Sequence, residues 1–277
     1  MTDPRALLAE VLGHRYVLER ELGHGGMASV YLARAEGRAG RVAIKVMNPR
    51  IADALDSRRF RREMGIAASL DHPSIVPLLD SGSAGGVWYY VMPFVEGESL
   101  YEHLQRERRL SIPRALGIAR DLAGALGYAH RRGVLHRDVK PENVLLAGGQ
   151  ALIADFGLAR AIGAADYTKL TATGVIVGTP YYMSPEQLRE EHDLDQRADI
   201  YSLGCLLYEM LSGGPPYTGR TLTELASRIL RGPIPSIRPL RPEVPAVVDA
   251  VIGRALAKAR SDRFATVEEM VAVLPQS

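Results

Sequence analysis

The sequence predicts an α+β chain in two lobes, a small β-rich lobe with one helix followed by a larger, mainly helical lobe. Up to about residue 92, short β-branched and apolar runs alternate with glycine-containing turns. Beyond that point, apolar residues recur at three- and four-residue spacing over long stretches. The change falls near "PFVEGESL" (93–100), which places the lobes at about 14–92 and 98–277, with a hinge at 93–97.

In the first lobe, "YVLERELG" (16–23) and "SVYLARA" (29–35) read as strands, and "RVAIKVM" (41–47) follows as a third after the turn "EGRAG". "DSRRFRREMGIAAS" (56–69) reads as a helix with Phe60, Met64 and Ala67 on one face. Its arginines read as a solvated face. "SIVPLLDSG" (74–82) and "VWYYVMPFV" (87–95) read as a hairpin around "GSAGG". In the second lobe, "SIPRALGIARDLAGALGYAH" (111–130) carries Ile118, Leu122 and Leu126 at helical spacing. "ADIYSLGCLLYEML" (198–211) is apolar nearly all round and reads as a buried helix. "PAVVDAVIGRALA" and "TVEEMVAVL" are later helices, and "NVLLAG" and "ALIADFG" are short strands between helices.

Composition removes several classes of function. Net charge is +2, from 34 basic and 32 acidic residues, so no strong field points to nucleic acid or a membrane surface. The single cysteine, Cys205, lies in the apolar helix and allows neither a disulfide nor a cysteine metal site within one chain. "MTDPRALLAEVLGHRY" lacks the pattern of a secretory signal, and no stretch approaches the length of a membrane span. A cytoplasmic chain is expected, or the intracellular part of a membrane receptor if the chain is a fragment.

The stretch "GHGGMA" (23–28) has the form G-x-G-x-x-A, which two unrelated nucleotide-binding devices share. A dinucleotide fingerprint needs a helix directly after the glycines and an acidic residue about 20 residues on. Here the glycines are followed by two strands around a turn, and the later region reads "VMNPR". The dinucleotide reading therefore fails. Lys45 stands in a strand, where a cation needs a partner, and Glu63 on the next helix is a candidate. "HRDVKPEN" (136–143) and "DFG" (155–157) follow.

In that order and spacing, these motifs resemble the eukaryotic-type protein kinases. The resemblance covers about residues 14–270. In "ELGHGGMASVYLAR" and "PYYMSPEQL" it is most similar to bacterial serine/threonine kinases, including those forming the intracellular part of membrane receptors. It implies a bilobal protein kinase fold with ATP in the cleft, Mg²⁺ (or Mn²⁺) as the metal, and serine or threonine hydroxyls of proteins as acceptors. Gly23, Gly25 and Gly26 would let backbone N–H groups approach the phosphates. Leu22, Val30, Ala43 and Leu145 would sandwich the adenine. Met92 would be the gatekeeper, with the Pro93 carbonyl and the Val95 N–H as hinge contacts. Pro93 departs from the glutamate common at its position, and Ala28 from the usual third glycine.

The resemblance also implies roles in the chemistry. Lys45 would hold the α- and β-phosphates, oriented by Glu63. Asp138 would align the acceptor hydroxyl, and Lys140 would neutralise the γ-phosphate. Asn143 and Asp155 would supply oxygen ligands to the metal. Thr179 in "GTPYY" would bond near Asp138 and Lys140. A phosphate on Thr171 or Thr173, in "TKLTATG" with Thr168, would pair with Arg137 and order the segment. Asp199 would anchor the "HRD" turn, and Glu186 of "SPE" would pair with Arg263. Two copies could pair through the small lobe, a point on which no residue decides. Two alternatives stay in view: a catalytically weak pseudokinase or scaffold, and a small-molecule kinase of the same fold. The first would lack one of Lys45, Asp138, Asn143 or Asp155. The second would lack the "GTP…SPE" segment.

Overall fold

The computed structural model describes residues 12–26, 28–37, 40–48, 56–84, 86–157 and 180–276. The chain divides into two compact units. Among the described residues, the first holds those up to Asp71, those from Val76 to Glu96, and Gly157. The second holds His72–Ile75, Gly97–Phe156 and the residues from 180 onward.

The first unit is built on strands β1 (Tyr16–His24), β2 (Ala28–Ala35), β3 (Arg41–Met47), β4 (Asp80–Ala84) and β5 (Val87–Pro93), with helix α1 (Ser57–Ala68). The strands form one antiparallel sheet in the order β1-β2-β3-β5-β4. Alternation of side chains puts Tyr31, Ala33, Val42, Ile44, Tyr89 and Val91 into one buried cluster with Leu12. Asp56 caps α1 by accepting from the Arg59 N–H at 2.8 Å. The buried face of α1 is Phe60, Glu63, Met64 and Ala67, and Phe60 meets Trp88 edge-on at 4.8 Å.

The second unit contains strands β6 (Glu98–Ser99), β7 (Val144–Ala147) and β8 (Gln150–Ile153), which form a small antiparallel sheet. Its helices are α2 (Leu100–Glu107), α3 (Ile112–His130), α4 (Pro185–Leu188), α5 (Arg197–Ser212), α6 (Leu222–Arg231), α7 (Ala246–Ala255) and α8 (Val267–Ala272). Serine caps set three starts, Ser99 for α2, Ser111 for α3 and Ser184 for α4. Helix α5 is buried almost all round, and Cys205 within it is fully enclosed, which pushes its thiol pKa up. It stops at Gly213, whose φ of 91° is open to glycine without strain. No described helix is long and apolar enough to cross a membrane.

One expected strand is shorter than the sequence suggests. "SIVPLLDSG" becomes strand only from Asp80. Pro77 has no N–H to give a ladder. Ser74 and Ile75 before it belong to the second unit, where the Ile153 N–H donates to Ser74 O at 2.9 Å and Ile75 bridges Ile153 in parallel. Pattern alone shows extended backbone there, not which neighbour it joins.

Gly204 of α5 faces α7 so closely that a Cβ would stand 2.7 Å from the Ala255 Cβ. A Gly204→Val variant gains less than about 1 kcal/mol of helix propensity. Overpacking costs about 1–3 kcal/mol, so a net loss of stability is expected. Chemical denaturation measures it, and an unchanged or raised midpoint would show that α5 and α7 separate freely.

Candidate active site

Within the first unit, β1 runs through Gly23, which pairs with Val30, and ends at His24 opposite Ser29. The Gly25 N–H closes the turn on Ala28 O at 2.9 Å. A Cβ would meet nothing within 4 Å at Gly23, and only the Ala28 carbonyl at 3.9 Å at Gly25. Neither residue is among those with positive φ. The fold itself therefore does not need glycine at these two positions. Ala28 is buried on β2 opposite Met47, so its methyl is part of the sheet's packing.

Lys45 stands mid-sheet, between Val30 on β2 and Tyr90 on β5. Glu63 lies on the buried face of α1. Gly157 has φ of 84°, and a Cβ there would lie 3.2 Å from the Glu63 carbonyl, so the "DFG" glycine packs against the backbone of α1. Ala43 is buried opposite Met92, with Leu22 and Val30 half-buried. Pro93 ends β5 opposite Val42, and half-buried Val95 follows the Phe94 N–H, which donates to Arg41 O at 3.0 Å.

Within the second unit, the residues of "HRDVKPEN" converge. Lys140 Nζ donates to Asp138 Oδ2 at 2.7 Å. Asn143 Nδ2 donates to the Asp138 carbonyl at 2.8 Å and to Oδ2 at 3.0 Å. Asp138 is thus gripped from two sides, with its carboxylate still partly exposed. Burial works to lower the Lys140 pKa, but the adjacent Asp138 carboxylate outweighs it and the net shift is upward. Leu145, on β7, pairs with Ser99 and Leu152. The Ala154 N–H donates to Asn143 O at 2.9 Å, tying the start of the "DFG" segment to the loop.

Arg137 and Asp155 have φ of 67° and 71°, a region costly for residues with a Cβ. Asp199, fully buried on α5, holds the first of them. Its Oδ1 accepts from the Arg137 N–H at 2.7 Å, and its Oδ2 accepts from the His136 N–H at 2.9 Å and from His130 Nε2 at 2.7 Å. Burial pushes the Asp199 pKa up, but the His130 hydrogen bond and the other N–H donors bring it below the usual carboxylate range. His136 donates from Nε2 to Ala154 O at 2.8 Å and accepts the Asp138 N–H at Nδ1, 3.2 Å, a pattern that assigns the Nε2–H tautomer. Its ring stacks edge-on with Phe156 at 4.5 Å.

Glu186 and Arg263 form a buried, bidentate pair at 2.6 and 2.8 Å. Arg263 also donates to the carbonyls of Ala257 and Arg197. Burial raises the Glu186 pKa, but Arg263 more than offsets it, so the carboxyl stays below its usual range. Thr168, Thr171, Thr173 and Thr179 lie outside the described residues. Three residues that the motif reading did not single out join the network. They are His130 on Asp199, Gln187, whose Nε2 donates to the Arg137 carbonyl at 2.8 Å, and Glu209, which accepts from the Tyr182 hydroxyl at 2.5 Å. Burial lifts Glu209 to a pKa of about 7. None of these pairings follows from spacing, because the partners are between 27 and 69 residues apart.

A sheet carrying a glycine turn and a mid-sheet lysine, with an Asp–Lys–Asn loop anchored from α5, matches one family. Residues 16–273 fit the model of the protein kinase domain. The chain belongs to that family. It is 42% identical over 271 residues to serine/threonine-protein kinase PknB of Mycobacterium leprae, covering 95% of this chain and 43% of that protein. It is 41% identical over 257 residues to PknH of Mycobacterium bovis, covering 92% of this chain and 42% of that one. The chain thus spans under half the length of these relatives. The crystal structure of the Mycobacterium tuberculosis PknI kinase domain is similar at a TM-score of 0.74 and 34% identity, with 94% of each chain covered. The β-sheet small lobe and helical large lobe of this kinase domain are those of its family.

Replacing Arg263 with Met strands Glu186 in the interior, a change expected to cost about 3–5 kcal/mol near neutral pH. A carboxyl with a depressed folded pKa stabilises above its unfolded value, about 4.3, and loses that contribution as pH falls further. The stability gap between wild type and the Arg263→Met variant should therefore narrow as pH falls below about 4.3 in urea titrations. A gap independent of pH would mean that the pair is not ionised in the folded chain.

Proposed function

We propose that this kinase domain transfers the γ-phosphoryl group of Mg-ATP to serine and threonine hydroxyls of proteins. The observation that carries the reading is the Asp138 carboxylate, gripped by Lys140 and Asn143 in a chain whose relatives are named serine/threonine-protein kinases. Phosphoryl transfer depends on positioning and charge neutralisation more than on covalent chemistry. Asp138 aligns the acceptor hydroxyl and takes its proton while the hydroxyl oxygen bonds to the γ-phosphorus. The bond to the β-phosphate oxygen breaks, and ADP leaves with the electron pair. Lys140, kept protonated by Asp138, meets the charge that develops on the γ-phosphate.

The residues present fit the nucleotide and the metal. Among the described residues a Cβ would meet nothing within 4 Å at Gly23 and only the Ala28 carbonyl at 3.9 Å at Gly25, which suits backbone approach to phosphates. Lys45 holds the α- and β-phosphates, with Glu63 as its orienting partner. Leu22, Val30, Ala43 and Leu145 provide apolar contact for adenine beside Met92, with the Pro93 carbonyl and Val95 N–H as polar contacts. The missing N–H of Pro93 costs nothing, since that position gives only a carbonyl. Asn143 spends its amide nitrogen on Asp138, which leaves its oxygen as a ligand beside the carboxylate of Asp155. Among the described residues no group of three or more His, Cys, Asp or Glu forms a metal cage, which suits Mg²⁺ completed by substrate phosphates. When bound, the metal would neutralise negative charge on the phosphates as the P–O bond breaks.

Autophosphorylation at Thr171 and Thr173, with Arg137 as the phosphate's partner, belongs to this reading. Pairing of two copies through the small lobe would give one copy access to the other. Need for ATP places the activity on the cytoplasmic side, whether the chain acts alone or within a longer protein.

Asp138→Asn should lower turnover on a threonine peptide by about 10²–10⁴-fold while ATP affinity stays within a few-fold. Near-normal turnover would remove Asp138 from this role. After expression with ATP, mass mapping should find phosphate on Thr171 and Thr173, and the double alanine variant should lose activity. An active preparation unmodified at both sites would refute activation by this route.

A further inference from the structure

Helix α1 buries the face made by Phe60, Glu63, Met64 and Ala67. At about 100° per residue, Arg58, Arg59, Arg61 and Arg62 fall on the other side, and all four are exposed. Among the described residues, no carboxylate pairs with these side chains and they donate no hydrogen bond. The two acids nearest in sequence are used otherwise. Asp56 accepts the Arg59 backbone N–H as the cap at the end of the helix, and Glu63 lies on the buried face. Four guanidiniums therefore stand against the one exposed carboxylate of Asp56. Other exposed arginines find acids of their own: Arg34 pairs with Glu19, Arg106 with Glu98 and Arg228 with Glu224. The arrangement also works against the helix. Its first turn holds no acid, although acids suit the positive end of the helix dipole, and Arg58 and Arg62 are like charges four residues apart.

We propose that this face of α1 docks an acidic segment of a partner protein, whose carboxylates meet the guanidiniums. Guanidinium forks suit planar carboxylates. The spacing favours a strip of acids over one compact anion. Arg58 and Arg62 are separated by about 6 Å along the helix axis, at about 1.5 Å per residue. Every second residue of an extended segment faces the same way and advances by about 6.6–6.8 Å. Alternating acids therefore match one turn of α1. A membrane surface fits less well, because α1 exposes no large apolar side chain to enter lipid. Nucleic acid fits less well too, because the net charge is only +2 and α1 exposes no aromatic ring to stack on bases. The surface uses none of the residues assigned to phosphoryl transfer, and it lies opposite Glu63 on the helix.

The test is an anisotropy titration of the purified chain, without nucleotide, against a short labelled peptide in which aspartates alternate with alanines. A twin with asparagine for every aspartate is the control. The acidic peptide should bind on the order of tenfold or more tighter than its twin, and several-fold more weakly as salt rises from about 0.05 M to about 0.5 M. Arg58→Glu with Arg62→Glu should weaken it on the order of tenfold or more, with the thermal midpoint unchanged or raised, since acids suit this end of the helix. Arg58→Gln with Arg62→Gln should weaken it in the same direction by less. Arg231→Glu with Arg238→Glu makes the same change in net charge on the second unit, and should leave binding within about twofold. Equal binding of peptide and twin would overturn the site. So would binding that both α1 variants leave intact, or that the second-unit variant weakens as much. Phosphatidylserine–phosphatidylcholine vesicles or a short DNA duplex that bind through α1 more tightly than the peptide would overturn the protein segment as the occupant. No arm needs turnover, so loss of this docking and loss of kinase activity are separately read.

Discussion

The carboxylate of Asp199 is the constraint on which the "HRDVKPEN" loop depends. It sits in the middle of the helical unit and accepts hydrogen bonds from His130, His136 and Arg137. A charge buried that deeply survives only because both carboxylate oxygens are answered by donors. The same bonds compensate the positive φ of Arg137, a conformation that costs of order 1–3 kcal/mol unassisted. Asp138 follows directly, so the direction in which its side chain leaves the loop is set two steps back, by a residue on α5. Rigidity comes from the core helix, and the Asp138 carboxylate only inherits it.

Lys140 and Asn143 add a second constraint of a different kind. They bind the Asp138 side chain itself, Lys140 through its ammonium and Asn143 through its amide nitrogen. The ammonium that grips Asp138 is the one suited to a γ-phosphate. The amide that grips it turns its other end toward metal chemistry in the proposed reading. Acid, cation and amide are held together by the fold itself, so in the proposed reading little rearrangement remains to be done at the reacting centre.

Much of this was legible in the sequence because motif residues close in number are also close in space. Asp138, Lys140 and Asn143 lie within six positions, and a short loop can only bring them together. The β2–β3 and β4–β5 hairpins were readable for the same reason, since hairpins join neighbours and turn glycines mark the joints, whereas the place of β5 beside β3 was not. The buried face of α1 showed as Phe60, Met64 and Ala67, while Glu63 on that face was readable only as a candidate partner for Lys45. Contacts across long separations were less visible. Gln187 on the Arg137 carbonyl and Tyr182 on Glu209 depend on how helices pack, and periodicity is silent about which polar side chain meets which. Ser74 and Ile75 show the same limit, because their extended backbone pairs within the second unit rather than with the sheet beside it in sequence.

The glycines of "GHGGMA" separate what folding requires from what the chemistry requires. Gly157 and Gly213 have positive φ, and a side chain there would crowd a carbonyl; the fold alone accounts for them. Gly23 and Gly25 have neither positive φ nor a crowded Cβ position, and glycine in a strand or turn of ordinary φ costs conformational entropy on folding. In the proposed reading that cost leaves room for the phosphates of a nucleotide. Ala28 sharpens the distinction. Its methyl is buried against the sheet, so the position where many relatives carry a third glycine faces the protein here and leaves the open positions at Gly23 and Gly25 unaltered.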